Sequence, residues 1–326
     1  MEVPGKAQLV FVHGIGGVRD SADESRTWLT ALADGARDAG HADAVSGLTQ
    51  GWLAETRFVN YSDLFAPIGT QGAGETGECG DVEQIAFLGA LVRELTDELL
   101  SQAQEQGDAH ALRVIADALP QFPNDTGELQ GTGEPLRVLA RILTTLLQLP
   151  GLRRASQWAS GWPLLGQLAQ VGQYLDRRAH GRRDGNLDAL IRQRVLDSVD
   201  PERPLVVVAH SLGSVVAYEA LHHLAQPTRL FITLGAPLAT AAVVLNRVIP
   251  RPARTPHSVE RWLNFWDRDD IVVCRPRIKD WMLPNSAGVV PVTRRVDSDG
   301  IWVHTSTKYL RQPAVAGPIA EALKQS

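Results

Sequence analysis

Two kinds of apolar patterning divide the chain. Short runs rich in Val, Leu, Phe and Trp at residues 8–12, 56–61, 204–209 and 259–266, with a valine-bearing run at 286–296, have the length and composition of strands. The runs at 8–12 and 204–209 are apolar at nearly every position, the mark of a strand buried on both faces. Elsewhere apolar positions recur every three or four residues, which predicts helices over 25–38, 82–104, 109–119, 136–149, 158–175 and 315–324. In the fourth of these, Arg137, Arg141, Thr144, Thr145 and Gln148 mark one side and leave Leu139, Ile142, Leu143, Leu146 and Leu147 on a broad apolar face. Residues 66–81, with glycine at nearly every third position, and residues 120–135, rich in Pro, Gly and Asn, read as loops. The first is expected to be mobile and to border the mouth of any site.

Strand and helix patterns alternate at the two ends of the sequence. That alternation predicts an α/β fold with a mostly parallel sheet of about six strands, covered by helices on both faces. The middle is helical throughout, so the expected organisation is a core in two parts, 1–81 and 186–326, interrupted by a helical insertion at 82–185.

The densest chemical signal lies at 204–221, where Leu-Val-Val-Val-Ala-His-Ser-Leu-Gly changes from a strand into a helix at Ser211. A serine at so sharp a turn projects its hydroxyl outward, and the small neighbours Ala209 and Gly213 let strand and helix close around it. A serine that merely caps a helix is the bland alternative. A hydroxyl nucleophile also needs a base, a group to orient the base, and donors for the oxyanion that forms. His13-Gly-Ile-Gly-Gly17 follows the first strand as a glycine-rich loop whose amides can approach a ligand closely. The amides of Ile15 and of Leu212, which opens the helix after Ser211, are the candidate oxyanion donors. His13 and His210 flank these turns and are read as shaping them. His222 and His223 are read as ending the helix at its negative dipole end, and Tyr61 and Asp63 as loop or pocket-lining residues.

On Ala209-His-Ser-Leu-Gly213 and His13-Gly-Ile-Gly-Gly17, the chain resembles the alpha/beta-hydrolases, in particular small bacterial serine lipases and esterases. Where glycine usually stands two residues before the serine, this chain has Ala209. The family's chain order is nucleophile, acid, histidine. Of nine histidines, His304 is the one beyond any plausible acid, so the resemblance implies it as base. It also implies an acid in the turn after 259–266, where Asp267-Arg-Asp-Asp-Ile-Val offers three carboxylates. An Asp-x-Val step in that turn favours Asp270, with Asp267 in reserve. The insertion at 82–185 corresponds to the position of helical caps, and its Leu and Trp content suits an acyl group, the plainer account being that these apolar faces pack on each other and on the sheet. The expected activity is carboxylic-ester hydrolysis through an acyl-enzyme on Ser211, with no metal or organic cofactor. Thioesterase, acyltransferase and peptidase chemistry use the same groups. A hydrolase-fold interaction protein without catalysis is a further alternative.

Composition narrows the partners. Across 326 residues, 44% are hydrophobic and the formal charge is −5, which supports a full-sized core and gives no pull toward nucleic acid. Two cysteines, Cys79 and Cys274, are too few and too scattered for a disulfide framework. An apolar strand within about ten residues of Met1 and the lack of a long apolar run lead to an expectation of a cytoplasmic protein. Arg153, Arg154, Arg177, Arg178, Arg182 and Arg183 flank the apolar helices of the insertion, making a lipid surface a candidate contact, with solvated arginines the plainer account. The sequence leaves the oligomeric state open.

Overall fold

A strand whose side chains are apolar on both sides must lie between two layers, and Leu205–His210 is such a strand. Leu205, Val207 and Ala209 enter one core cluster, Val206 and Val208 the other. A computed structural model describes residues 6–14, 20–65, 77–123, 133–149, 161–177, 185–239, 242–267, 270, 272–273, 277–298 and 304–325. Its elements run β1 (Ala7–Val12), α1 (Ser21–Asp38), α2 (Ala44–Thr49), β2 (Ala54–Val59), α3 (Gly77–Gln106), α4 (Ala109–Ala118), α5 (Gly133–Leu146), α6 (Gly161–Leu175) and α7 (Leu187–Asp197). Then come β3 (Leu205–His210), α8 (Leu212–Leu221), β4 (Thr228–Leu234), α9 (Ala242–Leu245), β5 (Trp262–Asp267), β6 (Val292–Val296), α10 (Ser306–Leu310) and α11 (Pro313–Lys324).

The six strands form one sheet in the order β2-β1-β3-β4-β5-β6, and every pairing is parallel. The chain runs from β1 outward to β2, then crosses to the other side of β1 to lay down β3. Between the carboxyl ends of β1 and β3 the winding therefore reverses, the place where open α/β sheets leave a crevice for ligands.

Helices cover both faces. Trp28 and Leu32 of α1, Tyr309 of α10, and Val315 and Ile319 of α11 pack with Leu9, Phe11, Val208 and Phe265. On the opposite face α8 lies against the sheet, and the apolar sides of α3, α5 and α6 join the same cluster as Val10, Val207 and Phe231. Helices α3, α5 and α6 therefore share one continuous core with that face of the sheet.

Several boundaries differ from the sequence reading. Helix α1 starts four residues early because the Asp20 carboxylate caps it, accepting from the amides of Ala22 and Asp23, both at 2.9 Å. Helix α3 begins at Gly77, so the tail of the expected 66–81 loop is helical, while 66–76 lies outside the described residues. The expected strand at 286–296 is shortened to Val292–Val296. Asn285 makes a turn in front of it, its side-chain oxygen accepting from Ala287 and Val289 at 3.1 and 3.0 Å.

A buried ionic cluster ties α6 and α7 to α8. Glu219, 2% exposed, accepts from Arg177 at 2.5 Å, Arg192 at 3.2 Å, the Tyr174 hydroxyl at 2.8 Å and the Ile249 amide at 3.0 Å. Asp188 completes it through Arg192 at 2.6 Å and Arg177 at 3.1 Å. Buried charge is tolerable when its lone pairs are engaged, and both oxygens of Glu219 are. Burial first, then the Glu219 charge, pushes the Tyr174 phenol far above its ordinary range, so it remains a donor. Arg177, one of the arginines read as a cationic flank for a lipid surface, is thus committed inside the fold. Among the described residues, no helix is long and apolar enough to cross a membrane.

His222, at the end of α8, departs from its expected role. Burial lowers it to about 4, and the edge of its ring meets Tyr218, with centroids 5.0 Å apart. It sits there neutral, so it gives the helix dipole no positive charge. Because its folded value lies below the ordinary histidine value of 6.5, the unfolded chain takes up this proton first as pH falls. Its stability contribution is therefore complete above pH 6.5 and is lost progressively as pH drops toward 4. Replacement by Phe should flatten the fall in Tm over that window, measured by thermal unfolding at a series of pH values.

Candidate active site

The crevice at the winding reversal is built around one backbone conformation. Ser211 has φ 54° and ψ −130°, a left-handed geometry that an L-residue adopts at a cost of about 1–3 kcal/mol. Local hydrogen bonds hold it. The Ser211 amide continues the sheet by donating to Leu234 O at 2.9 Å, Ser214 N donates to Ser211 O at 2.9 Å, and Ser214 Oγ donates to Ala209 O at 3.0 Å. Gly213 is required by a close approach: a Cβ there would stand 2.2 Å from His13 O and 2.4 Å from Val12 O. In this way α8 rests directly on the end of β1, and Gly14 lies against Ser211.

Three side chains from separate elements meet at this turn. Ser211 Oγ lies 2.9 Å from His304 Nε2, and His304 Nδ1 lies 2.7 Å from Asp270 Oδ2. Exposure of Ser211, Asp270 and His304 is 1%, 2% and 7%, so bulk water screens these contacts little. Their directions follow from the partners of Asp270. Oδ1 accepts from the Val272 amide at 3.0 Å, and Oδ2 accepts from the Tyr309 hydroxyl at 2.6 Å as well as facing His304. A carboxylate surrounded by donors is an acceptor only. The proton between it and the imidazole therefore belongs on Nδ1, leaving the Nε2 lone pair toward the serine hydroxyl.

Asp267 has another place. It is the last residue of β5 rather than the first beyond it, and its Oδ2 accepts from the Ser298 amide at 2.6 Å. That bond ties the end of β5 to the segment leading toward His304. The carboxylate against the imidazole is that of Asp270.

The surrounding residues hold the first loop and the acid turn. Tyr61 donates its amide to His13 Nε2 at 3.2 Å and its hydroxyl to His13 O. Nε2 is therefore an acceptor, the ring proton sits on Nδ1 facing Gly14 O, and both nitrogens are engaged. His13 stacks on Tyr61 at 4.2 Å between ring centroids. Asp63 pairs with Arg194, which also donates to Asn60 O at 2.7 Å, pinning the segment after β2 to α7. His210 lies alongside the imidazole of His304, with centroids 4.7 Å apart.

Two contributors were absent from the sequence reading. Gly235 (φ 55°) follows β4, and a Cβ there would stand 2.7 Å from Asp270 Oδ2 and 3.1 Å from the His304 ring. Its signal was present in Leu-Gly-Ala-Pro directly after an apolar run, a glycine at a strand end. Tyr309 had no signal, since only the packing of α10 brings it under the acid turn.

The Leu212 amide is the first of α8 and has no preceding helical carbonyl to bond, which leaves it directed at the crevice end of the helix. Ile15, the other candidate oxyanion donor, lies outside the described residues, as do Cys274 and the side chain of Cys79. Of the arginines named as cationic flanks, Arg153, Arg154, Arg178, Arg182 and Arg183 also lie outside them. Among the described residues, no group of three or more His, Cys, Asp or Glu is arranged to hold a metal ion.

No protein-family model matches this chain, and no curated protein does. A crystal structure of an uncharacterized protein from Pseudomonas aeruginosa aligns with 97% of this chain and 45% of its own, at 10% identity and a TM-score of 0.28. This chain thus spans less than half of that protein, and so loose a likeness carries no argument about fold or activity.

Proposed function

We propose that the protein is a serine hydrolase of the alpha/beta-hydrolase type, acting on carboxylic esters through an acyl-enzyme on Ser211. The observation that carries this reading is the hydrogen-bonded row from Ser211 Oγ through His304 to Asp270 at 2.9 and 2.7 Å, at the end of a strained strand-to-helix turn. Ordinary helix caps and core histidines do not produce that row.

In this mechanism His304 Nε2 takes the Ser211 proton as Oγ forms its bond to the acyl carbon, and the carbonyl oxygen becomes an oxyanion. The Leu212 amide, at the positive end of α8, stabilises that charge together with the amide of Ile15. Collapse of the tetrahedral intermediate breaks the bond to the leaving oxygen, which receives the proton from Nε2. Water then attacks the acyl carbon, giving its proton to Nε2, and as the bond to Oγ breaks that proton returns to Ser211 and the acid is released. Asp270 stays ionised and stabilises the imidazolium that forms at each stage. The helices α3, α5 and α6 take the place of the cap in this reading, and their apolar faces are packed into the core they share with one face of the sheet.

Two outcomes test it. Ser211→Ala should lower the release of p-nitrophenol from short- and medium-chain esters by at least about a thousandfold, and should abolish labelling by a fluorophosphonate probe. Wild-type turnover in that variant would eliminate the reading. Asp270→Asn should reduce kcat by about 10³- to 10⁴-fold by leaving the imidazole in the wrong tautomer, whereas Asp267→Asn should stay within about tenfold of wild type. The reverse ranking in steady-state assays would return the acid role to Asp267.

A further inference from the structure

The phenol beneath the acid turn makes two hydrogen bonds of fixed direction. The Asp267 amide can only donate, so at 3.0 Å the Tyr309 oxygen accepts from it. The single phenolic proton is then left for Asp270 Oδ2, at 2.6 Å. Tyr309 is fully buried, and α10 and α11 hold its ring within the apolar cluster of Phe265 and Val208.

We propose that Tyr309 is a positioning residue for the active site: its hydroxyl, oriented by the Asp267 amide, fixes the Asp270 carboxylate so that Oδ2 meets His304 Nδ1. The proposal rests on the serine-hydrolase reading above. The Val272 amide holds one oxygen of Asp270, and the phenol and imidazole share the other. Without the phenol, Oδ2 is restrained by the imidazole alone, the group it is meant to orient. Gly235 makes room for the carboxylate on the remaining side, since a Cβ there would stand 2.7 Å from Oδ2. Burial and then the Asp270 charge hold the Tyr309 phenol well above its ordinary range, so it remains protonated throughout the working pH range. A carboxylate gripped by donors from three directions enters the reaction already aligned, and alignment of this kind is realised in kcat rather than in substrate binding.

The test uses the full-length protein and the ester and fluorophosphonate assays. Tyr309→Phe should lower kcat about tenfold with KM unchanged. In an Asp270→Asn background the same replacement should slow Ser211 labelling no further, because the residue through which Tyr309 acts has already been altered. Unchanged kcat, or an equal effect in both backgrounds, overturns the proposal while leaving the hydrolase reading intact. Failure of wild-type protein to be labelled brings down both. Should Tyr309→Phe not fold, 3,5-difluorotyrosine at position 309 keeps both hydrogen bonds but strengthens the donor. It should change the labelling rate, while the same replacement at Tyr218, whose hydroxyl accepts from the Arg254 amide at 3.1 Å, should not. An unchanged rate at 309 counts against the proposal.

Discussion

A parallel strand has to become a helix within a single residue at Ser211, and the rest of the site is arranged around that constraint. The turn holds one L-residue at φ 54°, a local cost that only the surrounding packing can offset. The offset comes from the sheet bond to Leu234, the Ser214 contacts and the seating of Gly213 on the end of β1. In return the hydroxyl meets His304 Nε2 at 2.9 Å, where the winding of the sheet reverses.

Hydrogen-bond direction then propagates outward from groups that have no choice. Amides of Asp267 and Val272 can only donate, Asp270 can only accept, and the proton positions of Tyr309 and His304 follow. Glu219 repeats the principle away from the serine, where two arginines, a phenol and an amide hold α8 against α6, α7 and the segment after α9. Burial of these groups raises the energetic stakes, because an unmatched donor or acceptor in a low-dielectric interior costs more than a matched one contributes.

The strands were legible where both faces are apolar. β1 and β3 appear within a residue or two of their expected limits, since an uninterrupted run of Val, Leu and Phe has few other ways to be buried. Legibility failed where a side chain overrides a local pattern: Asp20 lengthened α1, and Asn285 cut short the run before β6. β5 shows a subtler shift. Val259 makes only an isolated bridge to Thr228, so the strand starts at Trp262 and extends through Asp267. That displacement removes Asp267 from the turn in which the sequence had counted it.

From residues alone came the alternation that demands a layered α/β fold, the serine at a strand-to-helix junction, and the short set of acids and histidines able to serve it. Those features are local, and they follow from side-chain period, glycine placement and chain order. The sequence had placed Asp270 ahead of Asp267, and the fold sets its carboxylate against the imidazole; tertiary structure alone brought Tyr309 beneath it, required Gly235 beside it, and drew Arg177 inward to Glu219. Each of these depends on contacts between residues 34 to 69 positions apart, whose distances are set by how helices seat on the two faces of the sheet.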